Sequence, residues 1–338
     1  MYDFVVVGAG SAGVHTAYFL TKNGAKVAVV EQYAIGAGGS GAAGAFISPR
    51  IGKGGPIQRW TNEAFRYCVD FYKDSPYFYP TGLLRLPKDG EEFSKVVMDV
   101  EYERKSGGFF FPQAGVLKAK PHLESLLQNI DVIYAKAVPT FKDGVVEVAG
   151  VKAPHLILAT GAWDELLDVE YLRIGKTSGV RFDLRSSLSL PYSIHQKISI
   201  SANLDGIVSI GATHQRLDTP SRPQPPSMLF EEAKKMVGAF EYEIEQMYCG
   251  VRSSVNDHLP IIGELARELP KVKNFKNFDF GQIPKRNISI VGGLGGRGFV
   301  FGPFVGDMLA RHLTKNEPIP KELDVDRYVV RYLKKGRV

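Results

Sequence analysis

The amino-terminal residues follow a strand, turn, helix, strand pattern that constrains the fold of this chain more than any other segment does. The β-branched run Phe4–Val7 leads directly into Gly-Ala-Gly-Ser-Ala-Gly at residues 8–13, and an amphipathic segment at 14–22 follows. A second apolar run at 26–30 ends at Glu31. These features make up a complete βαβ unit, in which a helix joins two parallel strands. The chain is therefore predicted to open with a doubly wound α/β sheet.

The glycines of this unit have the spacing of a dinucleotide-binding turn. Gly8 permits the tight turn, Gly10 lets the backbone approach a pyrophosphate, and Gly13 lets the helix pack closely against the strand. The phosphates are expected at the amino end of the helix that follows, and Ser11 in this turn is a further predicted cofactor contact. Glu31 is placed to accept hydrogen bonds from the adenosine ribose. The motif predicts a bound dinucleotide but does not choose between NAD and FAD.

Three later segments favour FAD, and the first of them follows Glu31 closely. Residues 36–44 consist almost entirely of glycine, alanine and serine. Such small side chains let the backbone wrap an extended dinucleotide. The alternative is a flexible surface loop, but apolar residues follow at 45–47 and favour the first interpretation. The predicted cofactor contacts in this segment are Gly39, Ser40 and Gly41.

The other two segments are strands that end in glycine turns. Residues 154–163 contain a buried strand that ends in Ala-Thr-Gly, a strand end of the kind that meets a dinucleotide at the rim of an open sheet. A further strand at 287–291 runs into a glycine-rich loop and then into a helix-like segment at 304–314, for which Pro303 suits the first turn. The predicted cofactor contacts in the second half of the fold are Val138, Thr160, Gly161, Gly293, Leu294, Gly295, Gly296 and Gly298.

Two arginines lie in glycine-framed segments near the carboxyl end. Arg252 opens Arg-Ser-Ser-Val-Asn-Asp-His-Leu-Pro, and Arg297 lies inside Gly-Gly-Leu-Gly-Gly-Arg-Gly. A guanidinium presents a planar fork of donors that fits a carboxylate, so both are predicted catalytic residues that bind an acidic substrate. The alternative for each is a structural ion pair, of Arg252 with Asp257 and of Arg297 with Asp307. Arg297 in contact with the cofactor alone is a third possibility.

Two regions of the chain read as strands and turns rather than as βα units. Alternating apolar residues at about 77–118 and 177–238 predict an antiparallel substrate-binding sheet that is inserted twice into the FAD-binding domain. The discontinuous FAD-binding domain then comprises 1–76, 119–176 and 239–338. Four prolines within residues 220–226 predict a stiff surface loop.

These motifs, in this order, resemble the FAD-dependent amine oxidases of the glycine oxidase, sarcosine oxidase and D-amino acid oxidase superfamily. The segment from Arg252 to Gly263, the loop around Arg297 and the closing basic segment look more particularly like the oxidase half of the MnmC family, which modifies the wobble uridine of certain tRNAs. The resemblance implies a D-amino acid oxidase-like α/β fold, a Rossmann-like FAD-binding domain with an inserted, mainly antiparallel β substrate domain.

The resemblance also implies a reaction. In this superfamily an amine attached to an acetic-acid unit loses hydride from its α-carbon to the flavin, and the imine hydrolyses to an amine and glyoxylate. For carboxymethylaminomethyl-uridine at the tRNA wobble position, the product is aminomethyl-uridine. By motif, Arg252 corresponds to the carboxylate-binding arginine of the glycine oxidase type, and Arg297 to a second arginine on the flavin side. Bifunctional members carry a methyltransferase domain ahead of the oxidase, so any methylation is expected to need a separate protein.

The chain departs from the family pattern in two places. Ala42 and Ala43 stand in a shorter loop that lacks the family's usual asparagine, so contacts from that asparagine are missing. After Arg252, Ser253 and Asn256 stand where the family often has a cysteine and a second basic residue.

Three nearby residues have roles that the sequence leaves open. Histidine as a residue type often serves as an acid or base, so His258 invites a catalytic role, but we expect it to shape the turn beneath the flavin. Asp257 is expected to anchor the same turn. Some sarcosine oxidases attach flavin through a cysteine near this region, whereas Cys249 is expected to be a small buried hydrophobe.

Charge is unevenly distributed along the chain. The formal net charge is +6, and residues 267–338 contain 15 Lys and Arg against 7 Asp and Glu, so the preceding residues sum to −2. Such a basic carboxyl-terminal region can attract a polyanion such as RNA, and the resemblance to the MnmC family implies that this partner is tRNA. The alternative is a solvated basic helix. The basic residues without an interspersed acid are Arg327, Arg331, Lys334, Lys335 and Arg337.

Other classes are disfavoured by composition. The chain has only two cysteines, no secretory signal pattern at its amino end and no run of eighteen apolar residues, so a cytoplasmic protein without a membrane span is expected. Two other functions stay open at this point. One is a small-molecule glycine, sarcosine or D-amino acid oxidase or dehydrogenase, and the other is a tRNA-binding flavoprotein without turnover.

Overall fold

The computed structural model describes residues 1–218, 224–269, 281 and 283–335. The helices within these residues are α1 (Ser11–Lys22), α2 (Pro56–Tyr72), α3 (Ala119–Leu126), α4 (Met228–Val237), α5 (Gly298–Lys315) and α6 (Asp326–Lys334). The strands are β1 (Phe4–Val7), β2 (Val27–Glu31), β3 (Phe46–Ile47), β4 (Phe78–Tyr79), β5 (Leu83–Arg85), β6 (Glu103–Lys105), β7 (Gly108–Phe111), β8 (Gly115–Leu117), β9 (Asp131–Tyr134), β10 (Thr140–Lys142), β11 (Val145–Val148), β12 (Val151–Ala153), β13 (His155–Leu158), β14 (Gly175–Arg185), β15 (Ser193–His195), β16 (Ser199–Ile200), β17 (Ile207–Gly211), β18 (Gln215–Arg216), β19 (Glu243–Ser254), β20 (Ile261–Ala266) and β21 (Lys285–Gly292).

A six-stranded sheet forms the centre of the fold, in the order β20-β21-β13-β1-β2-β9. The strands from β21 to β9 run parallel to one another, and β20 is antiparallel at the edge. Strands β1 and β2 are runs of valine with almost no exposed surface, as is typical of parallel strands covered on both faces. The predicted α/β fold is confirmed, and the carboxyl ends of β1, β13 and β21 meet at one edge of this sheet.

Helices α1 and α5 pack closely against each other on one face of the central sheet. An added Cβ atom at Gly302 would lie 2.3 Å from the Ser11 hydroxyl oxygen, and one at Gly306 would lie 2.9 Å from the Thr16 nitrogen. The Ser11 hydroxyl donates to the Gly298 carbonyl at 2.8 Å. The two glycines therefore let the backbones approach, and the amino ends of both helices lie side by side.

A second, nine-stranded sheet lies beside the first and is built around the long strand β14. Strand β14 pairs with β17 and β18 along one edge and with β19 along the other. Most of the pairs in this sheet are antiparallel, as predicted, and β5 with β15 is a parallel exception. The sequence-based division places everything after residue 238 in the FAD-binding domain, whereas β19 belongs to this sheet. The sequence does not indicate this pairing, because β14, the partner of β19, lies far away in the sequence.

Smaller elements complete the two faces of the central sheet. Strands β10 to β12 form a three-stranded sheet, and strands β3, β8 and β4 form another. Within the described residues, no helix is both long enough and apolar enough to cross a membrane. The predicted proline-rich loop at 220–226 lies largely outside the described residues, as does Arg337 of the basic carboxyl-terminal segment.

Candidate functional site

A cavity of about 580 Å³ lies between the carboxyl edge of the central sheet and one face of the nine-stranded sheet. Its wall contains most of the residues that the sequence singles out, although they come from segments up to almost 290 positions apart. The predicted site residues in the wall are Gly10, Ser11, Gly39, Ser40, Gly161, Arg252, Gly293, Leu294, Gly295, Gly296, Arg297 and Gly298. The predicted residues outside the wall are Gly8, Gly13, Glu31, Gly41, Val138 and Thr160.

The amino ends of helices α1 and α5 both reach the cavity. Neither helix has a side-chain cap at this end. Within the described residues, the N–H groups of Ala12 on α1 and Phe299 on α5 have no acceptor, and both residues line the cavity. Unpaired N–H groups and the positive ends of two helix dipoles favour an anionic ligand in this part of the cavity.

The small-residue segment after Glu31 is wedged between α1 and the nine-stranded sheet. The Ser40 hydroxyl oxygen accepts a hydrogen bond from the Ser11 N–H group at 2.9 Å. An added Cβ atom would lie 2.7 Å from the Val251 carbonyl oxygen if built on Gly39 and 2.6 Å from the Ala42 Cβ atom if built on Gly250. Because only glycine fits at these contacts, the segment is a packed wall of the cavity and not a freely exposed loop.

The predicted residues outside the cavity wall shape the turns behind it. Gly8 has a φ of +108°, and an added Cβ atom at this position would lie 2.5 Å from the Ala159 carbonyl oxygen, so no side chain fits there. An added Cβ atom at Gly13 would lie 1.9 Å from the Gly8 carbonyl oxygen. Glu31 accepts hydrogen bonds from the N–H groups of Ala9 at 2.8 Å and Tyr33 at 3.0 Å. These residues hold the turn in its shape.

Three further predicted residues lie near the same turns. Gly41 packs against Gly36, whose carbonyl oxygen would be 2.4 Å from an added Cβ atom. The Thr160 carbonyl accepts a hydrogen bond from the Trp163 N–H group at 3.2 Å. Val138 is 63% exposed in the connection between β9 and β10, so the structure does not bring it to the cavity.

Arg252 lies in the cavity wall beside the interruption in strand pairing between β17 and β18. Its Nη1 atom donates to the Thr213 carbonyl at 3.2 Å, a carbonyl that is free because the chain leaves the ladder between β17 and β18. An added Cβ atom at Gly179 would lie 2.6 Å from both terminal nitrogens of this guanidinium. The absence of a side chain at Gly179 therefore makes the space that Arg252 occupies, and burial lowers the pKa of Arg252.

Arg297 enters the cavity from the N-cap position, directly before α5. Its Nη1 atom donates to the Ser48 carbonyl at 2.8 Å. Burial, with a smaller contribution from the nearby cation Arg50, lowers its pKa to about 10. The guanidinium is thus still charged at neutral pH but lacks the solvation of an exposed arginine.

Neither arginine forms the ion pair that was considered as the structural alternative. Asp257 pairs with Arg327 and Arg331, at 3.0 and 2.6 Å. Asp307 pairs with Arg311 at 3.2 Å. Within the described residues, no carboxylate lies within ion-pair distance of Arg252 or Arg297, so both guanidiniums are available to a ligand.

The whole cavity wall carries an excess of positive charge. Arg50 and Arg181 line it in addition to the two predicted arginines, and no Asp or Glu is found in the part of the wall that the structure describes. Arg181 is partly neutralised, because its Nη1 atom contacts Asp183 and its guanidinium lies 4.0 Å from the Tyr248 ring centre. Sequence reasoning missed both residues. Arg50 directly follows Pro49, six positions after the end of the glycine segment, which was an available signal, whereas nothing local marks Arg181.

One row of residues crosses the cavity-facing side of the nine-stranded sheet. His195 pairs with Ser199, Ser199 with Gly211, and Gly211 with Arg181, and all four line the cavity. Because directly paired residues on neighbouring strands point to the same face, the row places two small residues between an imidazole and a guanidinium. An added Cβ atom at Gly211 would lie 3.1 Å from the Cβ and Cγ atoms of Arg181, so the Arg181 side chain occupies the space over Gly211.

The residues with open roles near Arg252 now have defined environments. His258 lines the cavity with a φ of +58°, and its N–H group donates to the Val255 carbonyl at 2.9 Å, as expected of a residue in a turn. Asp257 accepts a hydrogen bond from the Leu259 N–H group at 3.2 Å and so anchors the same turn. The expectation that Cys249 is buried is wrong. Its side chain is exposed because β19 forms an edge of its sheet.

The basic carboxyl-terminal segment is less free than its sequence predicts. The side chain of Arg327 on α6 is only 8% exposed, since it is bound by Asp257 and by the carbonyls of Leu259 and Pro260. Arg331 also contacts Asp257. These two arginines therefore stabilise the turn below the cavity, and neither is a wholly solvated charge.

A second cleft, of about 590 Å³, lies at the opposite edge of the central sheet, near the starts of β1 and β13. Its wall includes Asp3 and Glu264 together with His312. His312 Nε2 lies 3.7 Å from a Glu264 carboxylate oxygen, and this interaction raises the pKa of His312 and lowers that of Glu264. The described part of this wall contains no Lys or Arg.

Comparisons with known proteins identify what this arrangement is similar to. Residues 3–312 match the model of the family described as FAD dependent oxidoreductase, abbreviated DAO. Among curated proteins, the chain is 24% identical to the tRNA 5-methylaminomethyl-2-thiouridine biosynthesis bifunctional protein MnmC of Maricaulis maris, and the match covers 93% of this chain and 52% of that protein. It is 25% identical to the protein of the same name from Campylobacter fetus, over 99% of this chain and 61% of that protein. The chain thus spans little more than half the length of these relatives.

Solved structures show the same fold at lower identity. Glycine oxidase from Bacillus cereus superimposes with a TM-score of 0.74 at 17% identity, covering 96% of this chain and 97% of that one. Iminodiacetate oxidase from Chelativorans sp. BNC1 superimposes with a TM-score of 0.72 at 17% identity, covering 96% and 98%. The sequence-based expectation of a D-amino acid oxidase-like fold is therefore confirmed.

Proposed function

Because the chain belongs to the FAD-dependent oxidoreductase family, we propose that it oxidises the carboxymethylamino group of carboxymethylaminomethyl-uridine at the tRNA wobble position. The products are aminomethyl-uridine and glyoxylate. The cofactor is FAD, and the proposal assigns its pyrophosphate to the amino end of α1 and the adjoining glycine segments. The observation that carries the proposal is that Arg252 and Arg297 have no ion-pair partner among the described residues and lie in a cavity wall whose described part contains no Asp or Glu.

The cavity wall fits FAD in both charge and shape. A pyrophosphate carries two negative charges, which two uncapped helix amino ends favour. The turn at Gly10 and the segment at Gly39 present backbone rather than side chains to the cavity. An added Cβ atom at Gly10 would lie 3.2 Å from the Ser40 hydroxyl oxygen, so the space near the helix end depends on these glycines. The second helix end, at Gly298, is assigned to the pyrimidine side of the flavin.

The two arginines favour a substrate that carries a carboxylate. A buried guanidinium without a counter-ion is costly, and a carboxylate that binds in a two-pronged manner removes that cost. Arg252 lies on the nine-stranded sheet, and Arg297 lies at the N-cap position of α5. We assign the substrate carboxylate to a position between these two side chains, which orients the neighbouring α-carbon for reaction.

The same charge distribution favours the reactive protonation state of the substrate amine. No carboxylate in the described cavity wall stabilises an ammonium group, and Arg50, Arg252 and Arg297 repel one. The bound amine is therefore neutral, so its nitrogen lone pair is available to form a C=N bond as the α-carbon loses hydride. Bound FAD supplies the chemistry by accepting that hydride. Water then adds to the C=N bond, and the C–N bond breaks to give the amine and glyoxylate.

The assignment to tRNA has separate support. The curated relatives are named for the biosynthesis of a modified tRNA uridine. Exposed Arg50 at the cavity wall, with Lys334 at the end of α6 and Lys335 directly after it, supplies positive charge for a polyanion. If the product is methylated, we propose that a separate methyltransferase carries out that step.

A small-molecule amine oxidase is the competing function, and the fold similarity to glycine oxidase and iminodiacetate oxidase keeps it open. Anaerobic mixing of the FAD-loaded protein with tRNA carrying carboxymethylaminomethyl-uridine separates the two. We expect rapid bleaching of the flavin absorbance by this tRNA, and slow or no bleaching by glycine or sarcosine at the same concentration. Bleaching by the small molecules alone would establish the competing function.

A third outcome distinguishes a binding protein from an enzyme. If the modified tRNA binds with strong salt dependence but leaves the flavin oxidised, the protein is a tRNA-binding flavoprotein without turnover. In cells that lack the gene, we expect carboxymethylaminomethyl-uridine to accumulate at the wobble position. Mass spectrometry of the tRNA nucleosides measures this directly.

A further inference from the structure

His195 is a cavity-wall residue that the proposed reaction has not yet used. It ends strand β15 and lies at one end of the cross-strand row that includes Ser199 and Gly211. Its ring meets the Phe46 ring edge-on, with centroids 4.9 Å apart, and this contact restricts its orientation. His195 is therefore held in place by packing rather than by polar contacts.

The imidazole of His195 makes no hydrogen bond within the described residues. Its Nε2 atom is buried and has no partner. A buried polar atom without a partner costs free energy, and such atoms are uncommon in folded proteins. The other buried cavity groups are already engaged, since Arg297 donates to Ser48 and Arg252 donates to Thr213. The missing partner of His195 is thus expected to come from a bound molecule.

The charges nearby determine which kind of group that partner is. Burial, and after it the nearby Arg297 guanidinium, lower the pKa of His195 to about 3, so the ring is neutral at physiological pH. A neutral imidazole has one nitrogen that accepts a hydrogen bond. The substrate carboxylate already has two guanidiniums as donors, whereas the amine N–H group next to it has no carboxylate acceptor in the described wall.

We propose that His195 contacts the substrate directly and accepts a hydrogen bond from the amine N–H group that neighbours the carboxylate. This inference rests on the proposed function, because it takes the carboxylate position from Arg252 and Arg297. It makes His195 the residue that distinguishes an N-substituted glycine from a carboxylate of the same shape without an N–H group. The hydrogen bond also directs the nitrogen lone pair away from the imidazole.

A matched pair of ligands tests this role without turnover. Pyrrole-2-carboxylate and furan-2-carboxylate have nearly the same shape and charge, but only the first has an N–H group beside the carboxylate. Binding of each to the FAD-loaded protein is measured by equilibrium dialysis and by the change in flavin absorbance. We expect the native protein to bind the pyrrole about tenfold more tightly, the usual effect of one buried hydrogen bond.

Three variants complete the experiment. In His195→Phe the preference is expected to disappear while affinity for the furan is retained, and His195→Gln, which keeps an acceptor, is expected to restore part of the preference. Arg252→Ala is expected to weaken both ligands equally. Flavin content and circular dichroism establish that each variant is folded.

The outcomes separate this inference from the proposed function. Equal affinities of the native protein for the two ligands, both dependent on Arg252, would overturn the role of His195 and leave the carboxylate site intact. Equal loss of both ligands in folded His195→Phe would show that the residue only shapes the wall. If Arg252→Ala changes neither affinity, the carboxylate site itself is wrong, and the role of His195 is refuted with it.

Discussion

Because Arg252 has no ion-pair partner within the described residues, we predict that its replacement lowers ligand affinity strongly and hardly changes stability. We consider Arg252→Met, because methionine has a similar length and fills an irregular space without a charge. The wild-type guanidinium has one hydrogen bond, to the Thr213 carbonyl, and no ion pair within the described residues. Its replacement therefore removes a desolvated charge and leaves one carbonyl without its donor.

The two effects on stability nearly cancel. Loss of the hydrogen bond costs about 1 kcal/mol, and removal of an uncompensated buried charge offsets that cost. We expect the free energy of unfolding of the ligand-free protein to change by no more than about 1 kcal/mol. By contrast, removing one partner of a buried charge pair weakens binding by about 2–5 kcal/mol. Since each 1.4 kcal/mol is tenfold, carboxylate affinity should fall at least about 30-fold.

Urea unfolding of the ligand-free protein and equilibrium dialysis with pyrrole-2-carboxylate measure the two quantities. Arg311→Met is the matched control, because Arg311 is paired with Asp307 and Glu317 and lies outside the cavity wall. This control should lose stability and keep its affinity for the ligand. The reasoning is refuted if Arg252→Met loses about 3 kcal/mol or more of stability while its affinity is unchanged, since that is the behaviour of a structural ion pair.

Three further predictions concern the seat of Arg252, the turn below it and the buried histidines. Gly179→Ala should displace the Arg252 guanidinium and lower carboxylate affinity about tenfold or more in dialysis. An added Cβ atom at Gly175 on the same strand comes no closer than 3.2 Å to any neighbour, so Gly175→Ala should leave the affinity unchanged. Burial alone would raise the pKa of Asp257, but hydrogen bonds from arginine lower it to about 2. Asp257→Asn should therefore lose about 3 kcal/mol of stability at pH 7 and less below pH 4, as measured by urea unfolding. Burial lowers the pKa of His15 to about 3 and of His122 to about 4, so the unfolded chain takes up protons first and stability should fall as the pH decreases from 6.5 to 4, less steeply in His122→Gln. An unchanged slope in that variant would contradict the last of these.

The cofactor half of the fold was accessible from the sequence because its signals are local. The run from Phe4 to Glu31 contains strand, turn and helix within thirty residues, and backbone sterics alone restrict what its glycines can do. Gly8 and Gly13 have the tight contacts that the motif predicts. The exposed Val138 shows the limit of this reasoning, because a contact made by a connecting residue has no local pattern.

The substrate half depended on contacts between distant segments. Arg181 and His195 lie in strands whose local sequence resembles that of any exposed sheet, and only strand register brings them onto one face of the cavity. The same holds for Gly179, whose importance is the space it leaves for a side chain more than seventy positions away. Cys249 was misjudged for the same reason, since the burial of a strand residue depends on which neighbours its sheet has.

By itself, the sequence determined that this chain opens with a dinucleotide-binding βαβ unit and places Arg252 and Arg297 beside glycine turns. Only the tertiary structure decided that these arginines are unpaired. Asp257 is close enough to Arg252 in the sequence to suggest an ion pair between them. In the structure, however, α6 brings Arg327 and Arg331 to the Asp257 carboxylate. Electrostatic energy depends on distance in space and on desolvation, and neither quantity is written in the order of residues along the chain.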